Sequence, residues 1–306
     1  MKKKLLLCLS FGLGVISSVQ AAPNGKTTSS PGSTQLTIGS FPPKPGVYAQ
    51  LSYNYVTSDK LFDANGDRKK DVDQDFEAHI ANLRLLGIID SHILGADIVA
   101  TEVIIPYAIQ IDNELNVGGR KFDSNIKGLN DIVITPVILQ WNLGKHDQMK
   151  LTGAIGAVAP VGSYSKNESN NAGGNYFSLM TRAAFNYSFN NGIEIGMTPI
   201  FNFNNKNKDT GIKTGDELTL DFMANYKINR LQFGVSGYYY TQLNEDELNG
   251  IKINDSKTKA FGLGPAVRIP LGQSGPLLNL TWQKELYSVN KSQPNTLRVG
   301  ISFKTP

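Results

Sequence analysis

Few of the 306 residues are of types that do covalent or metal chemistry. There are three histidines, His79, His92 and His146, and one cysteine, Cys8. Nucleophilic catalysis needs an activated hydroxyl or thiol with a base in hydrogen-bond reach. His92 and His146 fall in short turn-like stretches, His79 has no serine or asparagine partner motif beside it, and Cys8 lies inside an apolar run. No metal-ligand spacing, phosphate loop or nucleotide fingerprint occurs. The sequence therefore assigns no catalytic residue, no metal and no cofactor. What remains is a set of charged and hydrogen-bonding side chains at two-residue spacing. These are Arg182, Glu194, Glu217, Asp221, Lys227, Arg268, Glu285 and Arg298, with Tyr238, Tyr240, Gln232 and Gln242 between them. Such residues can line a wall and select solutes by charge. Glu217 and Asp221 can also form an acidic pair, although carboxylates four apart on one strand face are usually wall charges.

The elements that position them read as strands. From Glu217 to Ile228 the even positions are Leu218, Leu220, Phe222, Ala224, Tyr226 and Ile228, and the odd ones are mostly polar. After Asn229-Arg230 the alternation restarts with its parity switched, as a two-residue hairpin demands. Pairing Ile228 with Leu231 sets Tyr226 opposite Phe233, Lys227 opposite Gln232, Asp221 opposite Tyr238 and Glu217 opposite Gln242. A run of about 12 residues exceeds the usual soluble strand of ~5–6 and suits a tilted bilayer crossing of ~9–11.

Lys2-Lys3-Lys4, the apolar run Leu5 to Ile16 and the small residues before Ala21-Ala22 have the form of a secretory signal, residues 1–22. Setting the three lysines aside takes the formal net charge from +4 to +1, so nothing points to nucleic acid. Cys8 belongs to this leader, and the mature chain then has neither disulfide nor thiol chemistry. Beyond residue 22 no apolar run is long enough for a membrane helix. The mean hydropathy of −0.22 suits a barrel whose alternate residues alone meet lipid.

Residues 23–45 are rich in Ser, Thr, Gly and Pro and form an irregular lead-in, either a periplasmic linker or a segment tucked into the lumen. About twelve strands follow over 46–306. Their connections alternate between long polar loops (57–72, 113–128, 162–174, 205–213, 244–256) and short turns (88–92, 143–148, 190–192, 229–230, 271–275). The fold expected is all-β, a transmembrane antiparallel up-and-down β-barrel. Short turns belong on the periplasmic side of such barrels, which places both termini there. The alternation is poor in strands 2 and 3. About the connection near Asn290 to Pro294, Glu285 falls opposite Arg298. Trp141, Tyr187, Phe189 and Trp282 suit interface girdles.

Several motifs resemble one family of outer-membrane proteins, labelled for the meta-pathway of phenol degradation. They are Gly128-Leu129-Asn130-Asp131-Ile132 with Pro136 and Trp141, Ala159-Pro160-Val161-Gly162-Ser163-Tyr164, and Asn171-Ala172-Gly173-Gly174-Asn175. Phe201-Asn202-Phe203-Asn204, Thr214-Gly215-Asp216-Glu217 with Asp221, Gly237-Tyr238-Tyr239-Tyr240 with Gln242, and Gly262-Leu263-Gly264-Pro265 continue the series. The resemblance implies a porin-like transporter without catalytic residues. The chain departs from the family pattern at Phe177, where tryptophan is expected, and at Ile212, where tyrosine is expected. Both departures weaken an aromatic-solute reading.

The expected function is passage of small solutes, hydrophobic or aromatic ones among them, through the bacterial outer membrane. The permeation candidates are Arg182, Glu217, Asp221, Tyr238, Tyr240, Arg268, Glu285 and Arg298. The partners expected are outer-membrane lipid, an unidentified solute and, during biogenesis, the barrel-assembly machinery. The alternatives are a non-conducting scaffold or surface protein and, further off, a barrel enzyme.

Overall fold

A computed structural model describes residues 26–168, 170–273 and 275–306. The expected leader, residues 1–22, lies outside them. Twelve long strands form one closed antiparallel ring: β1 (Gly46–Ser58), β2 (Val72–Ile89), β3 (Ile98–Val117), β5 (Ile132–Leu143), β6 (Met149–Ala159), β7 (Ser178–Ser188), β8 (Ile193–Asn204), β10 (Glu217–Ile228), β11 (Leu231–Gln242), β14 (Lys259–Pro270), β15 (Leu277–Val289) and β16 (Asn295–Lys304). Neighbours in sequence pair throughout, and β16 closes on β1 with Tyr53 opposite Val299. A closed ring leaves no backbone edge unpaired in hydrocarbon. The remaining strands decorate one rim: β4 (Arg120–Leu129), and a three-stranded patch of β9 (Ile212–Lys213), β12 (Glu247–Leu248) and β13 (Ile251–Lys252).

The polarity of the ring is inverted relative to a water-soluble protein. Large apolar side chains face out, with Leu51 50%, Ile155 58% and Trp282 46% exposed, while Glu217, Asp221, Asn186 and Gln283 are buried inside. A soluble monomer does not display so continuous an apolar surface; a bilayer covers it. Trp282 sits mid-strand in β15 rather than at a strand end, so it lies within the girdle's span instead of marking its border. Tyr187 and Phe189 do sit at a strand end, packed edge to face at 4.7 Å.

The β10–β11 hairpin adopts the register expected from parity, with Glu217 opposite Gln242, Asp221 opposite Tyr238 and Ile228 opposite Leu231. Its turn places Asn229 at φ 56°, a left-handed conformation that asparagine tolerates and β-branched residues do not. Replacing Asn229 with valine should cost about 1–2 kcal/mol, read as a lower urea midpoint of the refolded barrel, whereas glycine should be neutral. In the neighbouring turn, Gly192 takes the left-handed position at φ 89°.

Two expectations need correction. Residues 113–128 are not a loop. β3 continues to Val117, turns at Gly118-Gly119, both with positive φ, and returns as β4, with Val117 opposite Arg120. The hairpin is polar because it rises beyond the apolar girdle, so composition mimics a loop. The short turn expected at 88–92 also runs further, with a hydrogen bond from Ala96 N to Ile93 O, and β3 begins only at Ile98.

The weak alternation of this region has a local cause. The register shifts mark one added residue in β3, between Ala108 and Ile111, and one in β5, between Ile134 and Val137. Each extra residue flips the faces beyond it. In β5, Thr135 and Ile138 are both buried while Ile134 and Val137 are exposed, so the parity changes across Pro136. Proline has no N–H to give a ladder, and a bulge is where it fits.

Candidate functional site

The lumen is occupied. Residues 26–45 run through it from the rim of long loops to the rim of short turns, where Gly46 begins β1. At the long-loop rim, Lys26 Nζ donates to the carbonyls of Asn171 and Ala172. Glu217, first residue of β10, accepts from Thr28 N at 3.0 Å and from Thr28 Oγ1 at 2.9 Å. Tyr240 also hydrogen-bonds this carboxylate, and Ser29 Oγ donates to Asn202 at 2.8 Å. Tyr176, on the loop leading into β7, has its hydroxyl 2.9 Å from Thr28 Oγ1. Its pKa is raised by burial and by the nearby Glu217 carboxylate.

One turn deeper, Asp221 clasps the segment. Gly32 N donates to Oδ1 at 2.8 Å, and Thr34 N and Oγ1 donate to Oδ2 at 3.2 and 2.7 Å. Gly32 has φ 73°, and a Cβ there would lie against the Gln283 amide, so only glycine fits. From the opposite wall Arg298 Nη2 donates to Pro31 O at 2.9 Å. Lower still, Asn186 Nδ2 donates to Ile38 O at 2.9 Å, and Leu36 and Ile38 pack on Ala184, Met223 and Ala266. Phe41 ends the descent against an apolar group of Leu86, Ile88, Ile98, Ala100, Ile138 and Ala154.

All eight permeation candidates sit on strands of the ring and face the lumen, yet not as one cluster. Glu217 and Asp221 hold the segment, and Tyr240 backs Glu217. Arg182 belongs to a separate set on the lower wall, where Arg84 Nε and Arg182 Nη2 flank the Glu102 carboxylate at 2.5 and 3.0 Å. Arg268 donates to Gln232 at 3.4 Å, and Gln232 donates to Glu194 at 2.7 Å. Glu285 is not opposite Arg298: Thr281 is, a register four residues away from the expected one. β15 runs on to Val289 beyond its partner, and in the following segment Ser292 bridges to Leu61. Glu285 instead binds Lys291 Nζ at 2.5 Å, Ser288 Oγ at 2.6 Å and the Tyr238 hydroxyl at 2.8 Å.

Sequence reasoning missed Arg84 and Glu102. A lone carboxylate inside the apolar run Ile98–Ile109 was the available signal, obscured by the β3 bulge beyond Ala108. His79 has partners that the sequence did not assign. Its ring lies between the Tyr53 hydroxyl and Glu77 Oε1, the latter at 2.6 Å, on the outward face of β2. Of the two departures from the family pattern, Phe177 is 43% exposed on the outer surface, away from the lumen, and Ile212 borders the cavity at the long-loop rim.

A closed twelve-stranded ring, apolar outside and charged within, defines an outer-membrane β-barrel of the porin-like class. The chain belongs to the family labelled for the MetA-pathway of phenol degradation, whose model matches residues 58–300. An outer membrane channel from Pseudomonas putida F1 shares the fold, with a TM-score of 0.74 at 15% identity over 87% of this chain and 97% of its own. The KdgM porin (TM-score 0.43, 8% identity, 84% and 99% covered) and a FadL homologue from Pseudomonas aeruginosa (0.43, 9%, 93% and 98%) also match. No curated protein matches the chain in sequence.

Proposed function

We infer that this barrel is a gated channel for small solutes in the outer membrane, acting without catalysis, with its short-turn rim and both termini in the periplasm. The observation that carries the reading is how residues 26–40 are held. The segment joins no strand of the ring and is fixed by side-chain hydrogen bonds and two apolar anchors, so it can leave the lumen without breaking the barrel. A twelve-stranded ring is wider than an eight-stranded one, whose side chains fill the interior, and narrower than open porins of ~16–18 strands. One strand-sized occupant therefore suffices to throttle it. Charged side chains on the wall then give selectivity. The apolar surfaces inside support hydrophobic solutes among the cargo, as does the family label.

The second reading, a closed scaffold, draws on the same occupied lumen. Single-channel recording in planar bilayers separates them. The intact protein should show small, rare conductance steps, and a variant lacking residues 26–40 should conduct steadily at severalfold higher conductance. A folded, heat-modifiable barrel that stays silent even without the segment is a scaffold.

A further inference from the structure

The lumenal segment leans on one side of the barrel. Its polar bonds go to β7, β8, β10, β15 and β16, leaving free the wall built by β1 to β4 near the long-loop rim. Between the two lies a cavity of about 390 Å³. The free wall sets Asn54, Gln74 and Asn113 beside an aliphatic row, where a porin lumen is polar throughout. Val56 is opposite Ala78, Ala78 opposite Ile111 and Ile111 opposite Ile126, so one level across four adjacent strands is lined by aliphatic side chains. Phe76 and Ile80 extend that row along β2. Water against that row lacks hydrogen-bond partners, whereas an apolar solute gains by displacing it.

The rest of the cavity border carries four cations, Lys26, Lys166, Lys291 and Arg298, against two carboxylates, Glu168 and Glu285. Glu285 already accepts from three donors. Arg298 is 5% exposed, and its Nε is buried without a hydrogen-bond partner among the described residues. Among the lining residues cations thus outnumber carboxylates by two, with Asp131 and Asp221 standing behind Lys26 and Arg298.

We propose that this cavity binds amphipathic monoanions, molecules with an apolar body the size of one ring or a medium alkyl chain and a single carboxylate. The apolar body lies on the Val56–Ile126 row, and the acid group faces the cationic border. The proposal rests on the channel reading for its purpose, since such a site would select cargo, but not for its test. A volume of this order falls in the range of ~300–1,000 Å³ typical of small-molecule sites.

The test is titration calorimetry of the full chain in lipid nanodiscs, with empty discs as blank and octanoate, octanol and octylammonium as probes. Octanoate should bind at least about tenfold more tightly than octylammonium, the change that one favourable charge pairing gives, with octanol between them. Lys166→Glu, on an exposed loop, should weaken octanoate severalfold and leave octanol unchanged. Ile111→Asn should weaken both. Equal affinity for the three probes, or no heat beyond that of empty discs, overturns the proposal. Recording conductance from the same preparation keeps the two readings apart: octanoate that binds to a barrel that never conducts leaves the site standing and removes the channel.

Discussion

Replacing Asp221 with alanine should raise the open probability of the channel by about a hundredfold while leaving the barrel folded. The carboxylate accepts from Gly32 N, Thr34 N and Thr34 Oγ1, and among the described residues no other bond holds that turn of the segment from β10. Removing the acceptor leaves three donors without a partner. At about 1 kcal/mol each, the low end for such losses, the seated state falls by about 3 kcal/mol, and each 1.4 kcal/mol is tenfold in population. Thr28, Ser29 and Ile38 keep their own contacts, so the segment loosens rather than leaving permanently. Asp221→Asn keeps one acceptor and should fall between. The measurement is dwell-time analysis of single-channel traces, with the gel shift on heating as the check on folding. The strand ladder of β10 does not involve the side chain, so the shift should be unchanged. Traces like those of the intact protein would mean that the segment is not the gate.

Replacing Glu102 with alanine should damage the barrel itself. Its side chain is fully buried between Arg84, 26% exposed, and Arg182, 14% exposed. The variant faces two guanidiniums toward each other with no counter-charge, and removing one partner of a buried pair costs about 3–5 kcal/mol. The urea midpoint of the reconstituted protein should drop accordingly. Replacing all three residues together by apolar side chains of similar size should recover most of the loss. An unchanged midpoint for Glu102→Ala would mean that water in the lumen screens the two arginines, and that this level of the wall is wet and open to ions.

Where the chain keeps strict two-residue alternation, its geometry was readable from the residues alone. The β10–β11 hairpin is the clearest case, because one parity switch at Asn229-Arg230 fixes every cross-strand pair from Glu217–Gln242 to Ile228–Leu231. The same logic fails in β3 and β5, where one added residue reverses the faces and no side chain announces it except Pro136. Glu102 was lost for that reason, and without it Arg84 on β2 had no visible partner. The Glu285–Arg298 pairing failed differently: symmetry about a loop centre assumes strands of equal length, and β15 overruns β16. The polar β3–β4 hairpin was illegible because water on both faces removes the alternation that marks a strand. Composition left two places for residues 23–45, and it could not name their partners. Those partners lie far down the chain, and nothing local in a run of Ser, Thr, Gly and Pro encodes them.

That distance has a consequence for the order of events when the protein is made. Thr28 meets Glu217 across 189 residues of sequence, and Pro31 meets Arg298 across 267. Contacts so remote form late, after the chain between them has been placed. The ring itself is complete only when β16 reaches β1. The closing pairs of the ring, Tyr48–Lys304 among them, are as remote, so the segment takes its full set of bonds only once β10 and β16, the last strand to be made, are in place.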